Sequence, residues 1–197
     1  MIDIEAARLP ATAATDEALI ERLVEIVNLG YRVAEAGMWR DDTPRVTIGE
    51  MAEFARHGEL LVARADGRVL GCVRVREVEP AVWEFGMLAA DDDARGLGVG
   101  RKLVAAAEAH AVAAGGHTMQ LELLVPLEWT APTKVTLDAW YRRLAYLPTH
   151  RGSIEVDYPR LAPMLATPCE YLIYRKPLST ASEGPASTNG DAAPTRE

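Results

Sequence analysis

Arg95-Gly96-Leu97-Gly98-Val99-Gly100 sets three glycines between an apolar strand pattern, Val82 to Ala89, and an Ala-rich helix pattern, Gly100 to Ala114. A turn of this kind brings several unpaired backbone N–H groups to one point. Together with the helix dipole, worth roughly half an elementary charge, they favour an anion such as pyrophosphate. Missing Cβ atoms let that anion touch the main chain. Spacing excludes two phosphate loops. A dinucleotide fingerprint needs glycine at the sixth position, and counting from Gly96 that position is Arg101. A P-loop ends in Gly-Lys-Ser/Thr, and Gly100 is followed by Arg101-Lys102-Leu103. Taken alone, the turn also suits a plain strand–loop–helix connection whose glycines only permit tight packing.

The loop needs a folded frame, and the chain has the means to build one. At 197 residues, with 49% hydrophobic and 25% charged residues, it matches a single well-buried globular domain. Its 21 Lys+Arg against 29 Asp+Glu leave a formal charge of −8, which disfavours nucleic acid and anionic membrane as partners. The first residues lack a signal-peptide pattern, and no apolar run reaches the roughly 20 residues of a membrane span. Cys72 and Cys169 lie far apart on strand patterns and read as buried reduced thiols. His57, His110, His117 and His150 have no partner at metal-ligand spacing, so no metal site is expected. These features predict a cytoplasmic protein.

Along the chain, Ile2 and Ile4 alternate with acidic residues as a short strand. Apolar positions from Leu19 to Val27 follow helical spacing over residues 16–34, with Thr15 as N-cap. Thr47-Ile48-Gly49-Glu50 has capping-box form and predicts a helix to about Arg56. Leu60 to Ala65 and Val69 to Val78 read as a hairpin turning at Asp66-Gly67. After the glycine loop and its helix, a strand is predicted over Thr118 to Val125, a helix over Lys134 to Leu144 and a strand over Cys169 to Lys176. The order predicts an α/β fold with a mixed, twisted central sheet of about six to seven strands flanked by helices. Residues 1–178 form the expected domain. Residues 179–197, rich in Ser, Thr, Ala, Gly and Pro, form an expected disordered tail.

Arg-x-x-Gly-x-Gly after this strand resembles the acyl-CoA pyrophosphate loop of the GNAT superfamily of N-acetyltransferases. A second segment, Trp140-Tyr141-Arg142-Arg143-Leu144-Ala145-Tyr146, is similar to that family's aromatic-Tyr-x-x-Leu-Gly-Phe turn, with Ala145 standing where glycine is usual. The resemblance implies the GNAT fold and transfer of an acetyl group from acetyl-CoA, used as co-substrate, to a primary amine, most readily of a small molecule. It implies that Met87, Leu88 and Ala89 present main-chain groups to the pantetheine arm, and that Arg95, Gly96, Leu97, Gly98, Val99, Gly100 and Arg101 surround the pyrophosphate. Tyr141 matches the general acid that returns a proton to the departing thiolate; its place on an apolar helix face equally suits a core aromatic. Glu84 matches a strand carboxylate that serves as general base, often through water, in some members of the family, and it also reads as a solvated or cross-strand-paired residue; Glu122 is a second candidate. Met38, Trp39 and Glu122 are candidate acceptor contacts. The neighbouring Asp41-Asp42 reads either as an acidic lip for a cationic amine or as a polar loop. Two other readings stay open: a non-catalytic acyl-CoA-binding or sensing module, and an acyltransferase using another acyl-CoA. Exposed final strands in this family pair between subunits, so a homodimer is compatible with the fold.

Overall fold

The computed structural model describes residues 2–40 and 43–179. In chain order its elements are β1 (Glu5–Arg8), α1 (Glu17–Ala34), α2 (Ile48–Arg56), β2 (Leu60–Ala65), β3 (Arg68–Glu79), β4 (Val82–Ala90), α3 (Val99–Ala113), β5 (Thr118–Pro126), α4 (Pro132–Arg143), β6 (Leu147–Ser153), the single-turn α5 (Ile154–Asp157) and β7 (Cys169–Pro177). Asp41, Asp42 and the tail from residue 180 onward lie outside the described residues.

The strands form one sheet in the order β1-β2-β3-β4-β5-β7-β6. All neighbours are antiparallel except β4 and β5, which α3 joins as a parallel crossover. Helix α1 buries Ile20, Leu23, Ile26 and Val27, and with α2 covers one face of β2–β4. Helix α3 buries Leu103, Val104, Ala107 and Ala111 on the opposite face, where Tyr141 of α4 joins the same cluster.

Local signals explain most boundaries. Thr47 and Glu50 cap α2 reciprocally: Glu50 N–H donates to Thr47 Oγ1 at 3.2 Å and Thr47 N–H to Glu50 Oε2 at 2.8 Å. Asp66 (φ +48°) and Gly67 (φ +74°) are both left-handed, as a two-residue hairpin turn of the right twist requires. Three expectations need correction. Asp16, not Thr15, caps α1 by accepting from Leu19 N–H at 3.1 Å, because residues 11–15 already form a 3-10 turn. The first strand covers residues 5–8, not Ile2 and Ile4, since it pairs with Leu61 to Arg64. Strand β6 was not expected. Its sequence, LPTHRGS, carries no alternation, and pairing with β7 makes it a strand.

Ala145 occupies the left-handed region (φ +68°) in the turn that brings the chain from α4 into β6. That conformation costs an L-residue about 1–2 kcal/mol, partly offset because glycine loses more backbone entropy on folding. Ala145 is exposed, so its methyl contributes little packing. Ala145→Gly is therefore expected to stabilise the fold by about 0.5–1 kcal/mol, raising Tm by roughly 2–3 °C. A calorimetric scan showing no rise would mean that the turn relaxes around alanine without cost.

Candidate active site

The glycine loop follows β4 through a 3-10 turn at Asp92–Ala94. Gly96 (φ +78°) and Gly98 (φ +82°) are left-handed, and Gly98 is the N-cap of α3. A Cβ built on either would meet nothing within 4 Å, so both glycines face open space. The first N–H groups of α3, on Val99, Gly100 and Arg101, have no acceptor one turn back and point out of the helix start. Gly100 faces inward instead, where its Cβ would lie 3.6 Å from the Trp140 ring of α4. The exposed Arg95 closes the loop through Asp92, with Nε donating to Oδ1 at 3.0 Å. Leu97 and Arg101 are exposed and Val99 is buried in the core. The loop is thus held at its base and open above.

Beside it the sheet parts. β4 pairs with β5 only from Val82 to Glu84, opposite Thr118 to Gln120. From Phe85 to Ala90 its only strand partner among the described residues is β3. Here β4 also bulges: Ala89 pairs with Cys72 but Gly86 with Arg74, so Met87 and Leu88 share one opposing residue. Met87 has φ +50°, a conformation rare for a long side chain and one that costs of order 1–3 kcal/mol. The bulge shifts the phase of the strand. Phe85 packs on the α3–α4 side, whereas Met87 and Ala89 pack on the α1–α2 side. A slot with free main-chain groups on β4 results, and the glycine loop lies at the end of that strand.

Tyr141 stands over this region. Its ring lies 6.1 Å from Phe85 and from Tyr174, 6.3 Å from Tyr146 and 5.0 Å from Trp140. Its hydroxyl bonds no described residue. Burial, reinforced by the Tyr31 and Tyr174 hydroxyls, pushes the phenol well above its ordinary range and keeps it protonated.

The two carboxylates line a cavity of about 330 Å³ together with Tyr31, Gly86, Met87 and Tyr158. Glu84 accepts from Arg76 Nη2 at 3.1 Å and from Gln120 Nε2 at 2.9 Å, so both its oxygens are engaged. Gln120 is in turn held by Arg175 at 3.0 Å. Glu122 accepts a single side-chain bond, from Tyr158 Oη at 2.6 Å. Burial raises the Glu122 carboxyl above the usual carboxylate range; the Tyr158 bond opposes this and the charge of Glu84 adds to it.

An adjoining cavity of about 340 Å³ is lined by Tyr31, Arg32, Glu35, Trp39, Arg40 and Arg45 among others. Trp39 is one of these lining residues, and its Nε1 donates to Glu35 Oε2 at 2.6 Å. Met38 is a correction. It is fully buried among Leu124, Ala131, Ile154 and Leu165 and lines neither cavity, because the chain turns inward there to pair Trp39 with Leu165. Asp41 and Asp42 lie outside the described residues. Sequence reasoning passed over Tyr158, Arg45 and Arg76. Tyr158 follows a strand that was itself unexpected, and nothing in the spacing of the two arginines points to a cavity.

A family model described as the acetyltransferase (GNAT) family matches residues 20–131, a span that contains most of α1, the bulged strand and the glycine loop. The chain belongs to the GNAT acetyltransferase family. It is thus an acyl-CoA-dependent N-acetyltransferase, and its seven-stranded mixed sheet is the GNAT fold. Solved GNAT-type structures agree in fold. An N-acetyltransferase from Staphylococcus aureus superposes with TM-score 0.62 at 15% identity, covering 90% of this chain and 99% of its own. An IAA acetyltransferase from Bacillus cereus gives 0.59 at 17%, covering 89% and 100%. The putative acetyltransferase yncA of Salmonella typhimurium, solved with acetyl-CoA, gives 0.60 at 15%, covering 93% and 99%. No curated protein matches the chain. No helix among the described residues is long and apolar enough to cross a membrane.

Proposed function

We propose that this GNAT enzyme acetylates the primary amine of a small molecule by direct attack on acetyl-CoA within a ternary complex. One observation carries the reading: β4 leaves β5 just after Glu84, so a single slot has the open glycine loop near one end and two carboxylates at the other. The residues suit that co-substrate. Val99, Gly100 and Arg101 offer N–H groups to a pyrophosphate, and the unpaired edge of β4 from Phe85 to Ala90 offers main-chain groups to an extended amide-bearing arm. Acetyl-CoA supplies the activated carbonyl and a thiolate leaving group.

The protein's own groups then have defined tasks. Main-chain N–H groups at the Met87 bulge stabilise the negative charge that develops on the carbonyl oxygen. Tyr141, held protonated by burial, gives its proton to the leaving sulfur. Of the two carboxylates, Glu122 is the better base: it has one free oxygen and a raised pKa, whereas Glu84 is bonded at both oxygens and acts as a fixed negative charge beside the amine.

A pH–rate profile of free-thiol release with an amine panel tests this. A carboxyl with raised pKa stays protonated, and so inactive as a base, to higher pH than an ordinary glutamate. kcat/KM should therefore rise with pH through that raised value. Glu122→Gln should lower the plateau by about 10²-fold and remove this acid limb, leaving only the titration of the amine. Glu84→Gln should keep the limb. An unchanged profile in Glu122→Gln would remove Glu122 from the mechanism, and no release with any amine would overturn the transfer reading.

A further inference from the structure

The described lining of the cavity next to the carboxylates has the opposite sign to the protein as a whole. In a chain of formal charge −8, Arg32, Arg40 and Arg45 line it. Among its described lining residues Glu35 is the one carboxylate, and it is already satisfied: Lys134 Nζ donates to Oε1 at 2.8 Å and Trp39 Nε1 to Oε2 at 2.6 Å. None of the three arginines forms an ion pair with a described carboxylate.

Two of the three are positioned rather than loose. Arg45 lies over the Tyr31 ring at 4.8 Å. The next residue, Val46, is clamped by Asn28 in both directions: Asn28 Nδ2 donates to Val46 O and Val46 N–H donates to Asn28 Oδ1, each at 3.0 Å. Arg40 is fixed by Nε donating to Leu165 O at 3.1 Å and by its backbone N–H to Met164 O at 2.8 Å, which leaves both terminal nitrogens of its guanidinium free of that bond. Guanidinium groups held in place without a described carboxylate partner match the planar oxygens of a carboxylate or phosphate, and holding them in advance lowers the ordering cost of binding. Tyr31, Arg45 and Leu161 belong to the walls of both cavities, so one molecule can reach from the arginines to Glu122.

We infer that the arginine-lined cavity binds an anionic group, carboxylate or phosphate, carried by the same small molecule whose amine is acetylated. The inference rests on the transfer reading for the identity of the acceptor, but the cavity is testable without turnover. The acceptor class is then an amino acid or an amino-phosphate, with Arg45 at the junction between its charged end and its amine.

The experiment is calorimetric titration of the full chain, in the presence of CoA, with N-acetyl amino acids and N-acetylated phosphoethanolamine, each set against its uncharged counterpart (the carboxamide, or the dephosphorylated alcohol). At least one anionic ligand should bind about tenfold more tightly than its neutral partner. The carboxylate and phosphate arms distinguish the two sources of the anion. The preference should fall to within about threefold in Arg45→Gln and recover in part in Arg45→Lys, while acetyl-CoA affinity is unchanged in both. Arg40→Gln provides a second variant should Arg45→Gln lose its fold. Equal or tighter binding of the neutral partners throughout, no binding by any anionic ligand, or an anion preference that persists in both glutamine variants would overturn the inference. Anion preference without thiol release from any amine would uphold the cavity assignment and overturn the transfer reading, so the two failures are distinct.

Discussion

Tyr141→Phe is expected to lower the rate of acetyl transfer by about 10²- to 10³-fold and to leave acetyl-CoA affinity within about twofold. The substitution removes one atom. Its ring keeps the contacts to Phe85, Trp140, Tyr146 and Tyr174 that lock α4 against β4 and β7. The hydroxyl gives up no bond to a described residue, so stability should change by less than about 1 kcal/mol. What is lost is the proton. A thiol of pKa near 8.5 leaves as a thiolate that needs a proton, and a phenol raised by burial is protonated throughout the working pH range. Single-turnover thiol release, paired with titration of acetyl-CoA, separates the chemical step from binding. An unchanged rate would return Tyr141 to the aromatic core as a packing residue only.

The second large effect concerns the loop. Gly98→Trp is expected to weaken acetyl-CoA binding by at least about 100-fold, near 2.7 kcal/mol. Two causes act together. At φ +82° an L-residue costs about 1–2 kcal/mol, so the loop would shift its N–H groups out of line. A Cβ there meets no protein atom within 4 Å, so a bulky side chain would extend over the open mouth of the loop, in front of those donors. Gly98→Ala isolates the first cause and should lose only about tenfold. Far-UV circular dichroism establishes that both variants are folded. Undiminished affinity in a folded Gly98→Trp protein would show that the pyrophosphate lies elsewhere.

Much of the frame was legible because it is written in local chemistry. A Thr and a Glu placed as Thr47 and Glu50 are, three apart before an apolar run, cap a helix, and Asp66-Gly67 supplies two left-handed residues in succession. The glycine loop combined a turn signal with a change of hydrophobic period on either side. β6 was invisible because its residues have no preference that separates strand from coil; the β7 edge imposes it. The divided roles of the site were hidden for a similar reason. Nothing near Glu84 in the sequence announces that Arg76 and Gln120 will occupy both its oxygens, nor that Tyr158, thirty-six positions after Glu122, will bond to that carboxylate. Met38 and Trp39 are adjacent and both apolar, yet one is core and the other faces a cavity. Only the bridge to Leu165 fixes which.

The buried ion pair between Lys134 and Glu35 has a mechanical meaning. Where β4 and β5 diverge, no ladder of backbone bonds sets the distance between the two halves of the sheet. At the end of β5 that task passes to side chains from opposite layers: Lys134 with Glu35 at 2.8 Å, and Thr133 Oγ1 donating to Ala34 O at 2.8 Å. Lys134 stands about two helical turns before Tyr141, and Glu35 holds Trp39. One strut therefore spans the jaws and sets their gauge, fixing together the residue proposed to face the thioester and the wall proposed to face the acceptor. Cutting either partner would leave a buried charge alone and let the gap drift, so the tolerances of both halves of the reaction meet at a single joint.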